Sequence, residues 1–200
     1  MHLCIVTNST NSRSPRRAWC RIVAGAAALA GALTGCQTAP PKGLSPISGF
    51  AAEAYLGTWY EIARIDHSFE RGLTHCQACY ARRPDGAIRV LNRGFDPVHQ
   101  AWRQAEGVAR FRGDPHTGSL KVSFFGPFYA GYHVLAWQTN APSYAVVCSN
   151  SRDYLWFLSR ERHLPSATID TLLLQAQAWG FATNRLLFVA QETAPGKPSD

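Results

Sequence analysis

The chain reads as an all-β protein: an eight-stranded antiparallel up-and-down β-barrel, followed by a C-terminal α-helix and a short final strand. Three observations predict this. Eight short alternating runs succeed one another between turn signals. One stretch near the end switches to helical spacing. Eight sequential antiparallel runs also leave two bare edges unless the sheet closes, and closure removes both. Strand count and spacing alone would fit a sandwich as well.

The first thirty-five residues stand outside this pattern. Met1 to Arg21 is polar and basic, with Arg13, Arg16, Arg17 and Arg21 and no acidic residue. Ile22 to Leu33 is an apolar run too short to span a bilayer as a stable helix, and it ends in Leu33-Thr34-Gly35-Cys36. A basic head, a short apolar middle and a small-residue end make a signal peptide. The Leu-x-Gly-Cys ending resembles a bacterial lipobox, which implies that residues 1–35 are removed and Cys36 becomes an acylated N-terminus. Gln37 stands where an Asp would imply inner-membrane retention, so the outer membrane is favoured. Arg16-Arg17 is a weak twin-Arg signal.

Without the leader, the 20 basic residues fall by four to 16 against 13 acidic ones, a net charge near +3. That charge is mild and dispersed, which argues against nucleic acid as a partner. Six cysteines become four. With Cys36 carrying lipid, the thiols of Cys76, Cys79 and Cys148 cannot all pair internally, and a homodimer stays open. Residues 36–49 hold Pro40, Pro41, Lys42, Gly43, Ser45 and Pro46, the composition of a semi-extended tether unlikely to pack. The barrel domain is expected over residues 50–192 and a disordered tail over 193–200.

Within the domain the runs are Gly57–Ile65, His75–Arg82, Ile88–Phe95, Trp102–Phe111, Leu120–Phe125, Tyr132–Gln138, Tyr144–Cys148 and Tyr154–Ser159. Pro84-Asp85-Gly86 and Gly113-Asp114-Pro115 are hairpin chemistry. Gly126-Pro127 ends the fifth run, and residues 150–153 turn the seventh into the eighth. Pro165-Ser166 supplies a stop and a candidate N-cap, and Asp170 favours the first turns of the helix. Ile169, Leu172, Leu173 and Ala176 recur at helical spacing, Gly180 ends it, and Arg185 to Ala190 reads as the last strand.

Gly57-x-Trp59 opens the first run, and Leu158-Ser159-Arg160 closes the eighth about a hundred residues later. This pair resembles the lipocalin signature, in which the last-strand Arg lies across the first-strand Trp and seals the closed end. A planar guanidinium stacks well on indole and donates to carbonyls left unpaired at strand ends. The runs Tyr60 to Gly72, Val122 to Tyr129 and Asp153 to Trp156 are similar to bacterial lipocalins related to apolipoprotein D. The resemblance covers roughly Ala54 to Gln191. It departs at one place: the sixth-to-seventh hairpin usually carries an Asp, and here Ala136-Trp137-Gln138 stands instead.

If Trp59 and Arg160 point inward, residues two apart on the same strand do so too. The interior then receives Glu61 and Ala63, Ala78 and Tyr80, Val90 and Asn92, Val122 and Phe124, Tyr132 and Val134, and Trp156 and Leu158. The resemblance implies that an aromatic pair matching Tyr80 and Trp156 lines the ligand cavity. Apolar walls with a few polar tips suit an acyl chain and an oriented head group. Burying about sixteen carbons at ~0.8 kcal/mol per CH₂ grosses roughly 12 kcal/mol. Association and ordering costs leave micromolar to nanomolar affinity.

Other motifs carry less. Cys76-x-x-Cys79 lacks the helix N-terminus of a redox site and the four ligands of a zinc site, and on a strand its two thiols face opposite sides. An inward Cys76 near the mouth is the one candidate nucleophile, though no base is recognisable beside it. The seven histidines show no metal spacing, and His67, His75 and His116 fall near loops and read as solvated. Arg112-Gly113-Asp114 is explained by its turn. Glu61 is a buried carboxylate near the floor, more structural than catalytic. No phosphate loop or Ser-His-Asp elbow appears, and no metal or cofactor is expected.

The expectation is a non-enzymatic, outer-membrane lipocalin held by Cys36 and facing the periplasm, which binds fatty acids, lysophospholipids or similar molecules. A lipid-modifying enzyme using Cys76 and a filled-barrel structural lipoprotein are the competing classes.

Overall fold

A computed structural model describes residues 37–141 and 143–192. Cys36, expected to carry lipid, the expected leader 1–35 and the expected tail 193–200 therefore lie outside the described residues. The elements are a short helix α1 (Ala52–Tyr55), then β1 (Gly57–Ile65), β2 (Thr74–Arg82), β3 (Ile88–Asp96), β4 (Ala101–Phe111), β5 (Ser119–Phe125), β6 (Phe128–Gln138), β7 (Tyr144–Cys148) and β8 (Leu155–Ser159). Helix α2 (Ser166–Ala178), a 3-10 turn (Thr183–Arg185) and strand β9 (Leu186–Phe188) follow. Consecutive strands pair antiparallel from β2 to β8, β8 pairs with β1, and β1 closes onto β2. The sheet is thus a closed eight-stranded barrel, with β9 added to the outer end of β1 through Ala63↔Phe188 and Ile65↔Leu186.

Two apolar clusters lie on either side of the wall. The inner one joins Trp59, Tyr80, Val90, Leu120, Val134, Val147 and Leu158, closed from below by Phe50 and Tyr55. The outer one packs Ile62, Ile65, Val146, Leu155 and Phe157 against Leu172 and Ala176 of α2. Alternation of the two sets along each strand is the period-2 signal of a half-buried wall.

Several expectations need correction. Ala63 belongs to the outer cluster. Pairing with β8 shifts register between Glu61↔Leu158 and Ala63↔Phe157, and such a bulge re-aims every residue beyond it. The strand β6 starts at Phe128, four residues before the expected Tyr132, because Gly126-Pro127 alone makes the connection and Phe125 already faces Phe128. Pro165, not Ser166, occupies the N-cap position of α2, without a side-chain cap.

The 37–49 segment differs most. Expected as a loose tether, it is docked on the barrel: Ile47 N–H donates to Val134 O, Gly118 N–H to Ile47 O and Phe50 N–H to His116 O. Leu44 is buried in the outer cluster, and Arg152 donates to Lys42 O at 3.0 Å. Prolines stiffen the segment, and the Gly118 amide and the Val134 carbonyl pair with the backbone of Ile47. Composition alone does not report such an unpaired surface.

A candidate ligand site in the barrel lumen

Gly57 has φ +96°, and a Cβ there would stand 3.3 Å from Arg160 Nη1. Glycine is therefore required both by its left-handed backbone and by the close approach of Arg160. The Arg160 guanidinium lies 3.9 Å above the Trp59 ring. It donates to Thr58 O, Ala54 O and Leu56 O, each at 2.8 Å. Trp59, fully buried, donates from its indole N–H to Tyr55 O at 2.9 Å. Trp137, in the hairpin that departs from the family pattern, packs edge-on against Tyr55 and tilted on Phe50. The closed end is thereby plugged with aromatic rings.

Above the plug, three phenols cross the lumen. Tyr132 O–H meets Tyr55 O–H at 2.7 Å and Tyr80 O–H at 2.8 Å. Burial pushes all three well above the ordinary phenol range, so they stay neutral and act only as hydrogen-bonding groups. The void among Phe50, Tyr80, Val90, Leu120 and Tyr132 measures about 10 Å³, room for a single water at most. The lower barrel is filled.

The upper lumen is different. Ala78, Asn92, Val122, Phe124 and Trp156 all keep partial exposure although Ala78, Val122, Phe124 and Trp156 pack against the inner cluster. Asn92 sits opposite Ala78 in the β2–β3 register, and its Oδ1 is buried without a hydrogen-bond partner in the chain. Phe124 fills the place that Gly107 leaves open: a Cβ at Gly107 would lie 2.9 Å from its ring. The lumen wall therefore holds every ligand-lining candidate: Tyr80, Tyr132, Val90 and Val134 low down, Ala78, Asn92, Val122, Phe124 and Trp156 higher. A larger cleft of about 470 Å³, lined by Phe50, Glu53, Arg82 and His116 among others, opens to solvent at the closed end and shares Phe50 with the void of the lower barrel.

At the mouth the structure assembles a polar cluster that sequence reasoning missed. Arg64 is fully buried. It donates to Glu61 Oε1 at 2.6 Å, to Glu70 O at 2.7 Å and to Leu73 O at 3.3 Å. Trp156 donates to Glu70 Oε2 at 3.2 Å, and His67 Nε2 stands 3.1 Å from the same oxygen without the alignment of a hydrogen bond. Arg64 thus clasps the β1–β2 loop across the mouth. Burial, reinforced by the Glu70 carboxylate and opposed by Arg64, raises the Glu61 carboxyl to about 8. Glu61 and Arg64 are three apart, which on an unbroken strand places them on opposite faces. Only the bulge brings them together, and no local signal announces it. His67, read as solvated, is buried under Phe69, with ring centres 3.8 Å apart.

Cys76 lies inward beside this cluster, 3.6 Å from Arg64 Nη1. It and Cys148 are free and buried. Burial and two nearby carboxylates push the Cys76 thiol up, the opposite of what a nucleophile requires. Among the described residues no group of three metal-binding side chains occurs.

A closed eight-stranded barrel with this floor and helix defines the protein's class. Residues 50–191 match the family described as "Lipocalin-like domain", and the chain belongs to that family. It is 49% identical over 155 residues to outer membrane lipoprotein Blc of Citrobacter freundii, covering 78% of this chain and 87% of the relative. Blc of Escherichia coli K12 is 46% identical, over 76% of this chain and 85% of the relative. Apolipoprotein D of Macaca fascicularis is 34% identical, over 87% and 95%. Among solved structures, insecticyanin of the tobacco hornworm shares the fold with a TM-score of 0.62 at 20% identity, covering 78% of this chain and 89% of that one. The bacterial relatives place this chain among the lipid-anchored lipoproteins of the outer membrane.

Proposed function

We propose that the protein binds single-chain lipids, fatty acids or lysophospholipids, in the upper lumen of the barrel, and that it is a binding protein rather than an enzyme. The carrying observation is the part-exposed inner wall above the tyrosine layer, with Asn92 Oδ1 lacking a partner. The acyl chain descends tail first between Val122, Phe124 and Trp156 toward Tyr80 and Tyr132. The head group stays near the mouth, where the hydrogen bond of Trp156 to Glu70 ties the wall to the β1–β2 loop. Acylation of Cys36 is the attachment to the membrane on this reading.

The filled floor sets a limit. Each methylene withdrawn from water contributes about 0.8 kcal/mol, roughly fourfold in affinity, so affinity should rise steeply with chain length. It should then level off where the chain meets the tyrosine layer. Titrating a homologous series of fatty acids and lysophospholipids, followed by Trp156 fluorescence, tests this. A Trp156→Phe control assigns the signal. Absence of saturable binding at every chain length would leave the filled-barrel class standing.

A further inference from the structure

The exposed large apolar side chains are unevenly placed. Four of the seven among the described residues lie at the open end: Phe69 and Val98 on connections, and Phe125 and Phe128 at the facing ends of β5 and β6. Phe125 and Phe128 are 80% and 68% exposed and face each other at the tip of the β5–β6 hairpin, across Gly126-Pro127. The closed-end turns carry none of the seven: one holds Arg82, Arg83 and Asp85, and the next Arg112 and Asp114. Lys121 stands on the same hairpin, its Nζ 4.9 Å over the Tyr129 ring.

The docked N-terminal segment ends on this hairpin. Thr38 O accepts from His133 Nε2 at 3.0 Å, and a Cβ at Gly131 would lie 2.9 Å from the same oxygen. Gly131 is three residues from Phe128, about 10 Å along a strand, against about 24 Å to Gln138 at the closed end. Cys36 precedes Thr38 by two residues, a covalent reach of at most about 7 Å. Thr38 Oγ1 also accepts from Arg112 Nε at 3.0 Å, so the segment is tied both to the β5–β6 hairpin and to the β4–β5 turn.

We propose that the tip Phe125-Gly126-Pro127-Phe128 inserts into the same membrane leaflet that receives the acyl chains of Cys36, holding the barrel mouth against lipid. The inference rests on the acylated-anchor reading. Aromatic side chains favour the membrane interface, and the amine of Lys121 beside them suits anionic head groups. The tip adds a second, oriented contact to the anchor. A ligand then passes between leaflet and lumen without its chain crossing water.

The test uses the full-length protein, processed and acylated in cells, in phosphatidylethanolamine/phosphatidylglycerol vesicles that carry a phospholipid with a photoreactive acyl chain. Cross-links are mapped by mass spectrometry, and the mass of the Cys36 peptide is read in the same digest. Labelling is expected on the peptide holding Phe125 to Tyr129. It should fall to the level of the closed-end turns in the Phe125→Ser, Phe128→Ser double variant, with the Cys36 peptide still acylated. Labelling concentrated at the closed end, or absent from the barrel, on protein with acylated Cys36 overturns the proposal alone. Unchanged labelling in the double variant does the same. An unmodified Cys36 overturns the anchor reading and the proposal with it. Wild-type labelling decides the matter if the double variant fails to fold.

Discussion

Arg160 shows how much a single side chain does at the closed end. Its planar head covers Trp59 and satisfies three carbonyls, two roles that only a guanidinium combines. Arg160→Ala should cost about 2–4 kcal/mol, from the lost stack and stranded acceptors, and Arg160→Lys should recover little of it. Urea unfolding of the purified variants measures both. Glu61 makes the complementary case at the mouth. Its carboxyl, raised to about 8 by burial and Glu70, binds a proton more readily folded than unfolded. Its contribution to stability is therefore fully present below the unfolded value near 4.5 and is lost as the pH rises through 8. Glu61→Gln keeps an acceptor for Arg64 and should flatten that decline in a series of melting curves from pH 5 to 9. A wild-type protein whose stability rises over the same range would contradict it.

At the scale of elements, the β1 bulge and the docked N-terminal segment matter most. The bulge turns one face of β1 toward α2 with Ile62, Ala63 and Ile65, and sends Arg64 inward. The segment is held by His133, whose ring is kept neutral mainly by burial, with its titration lowered to about 4, between Thr38 O and Ser119 Oγ. Gly131 leaves the necessary room: a Cβ there would stand 2.5 Å from His133 Nε2. Gly131→Ala should therefore loosen residues 37–44 more than the barrel. Faster amide exchange in that segment, with the exchange of β3 and β4 unchanged, is the expected signature. Protonation of His133 acts in the same direction. Its stabilising contribution is present above the unfolded value near 6.5 and is lost as the pH falls through 4, so acid should release the segment first.

For the whole molecule, closure of the sheet creates an inside, and partial filling of that inside sets what it does. The aromatic floor and the tyrosine layer close the lower half, so on the proposed reading an apolar guest is received above the tyrosines. Replacing Cys76 by Ser removes the one inward thiol without touching the wall above the tyrosines. Acyl-chain affinity should stay within about twofold, under about 0.5 kcal/mol, because serine keeps the shape of the side chain and the proposed lining is unchanged. Loss of a lipid turnover in that variant would favour the enzymatic class.

The strand order and the parity of Tyr80, Val90, Tyr132 and Trp156 were legible in the residues, while closure and the Gly57–Trp59–Arg160 floor were implied by the resemblance to lipocalins. Period-2 alternation and turn chemistry are local, whereas the meeting of Trp59 and Arg160 across the barrel is what the lipocalin signature implies. Ala63 was misread for the same reason: parity counts residues and does not see the bulge that adds one. The Arg64–Glu61–Glu70 clasp, the phenol layer and the docking of residues 37–49 were decided by tertiary structure. Each joins groups whose contact depends on where distant strands pass, and burial then changes the chemistry of the groups that meet there. The sequence by itself determined a closed barrel with a sealed floor. Only the packing decided how far its lower interior is filled and where residues 37–49 run along it.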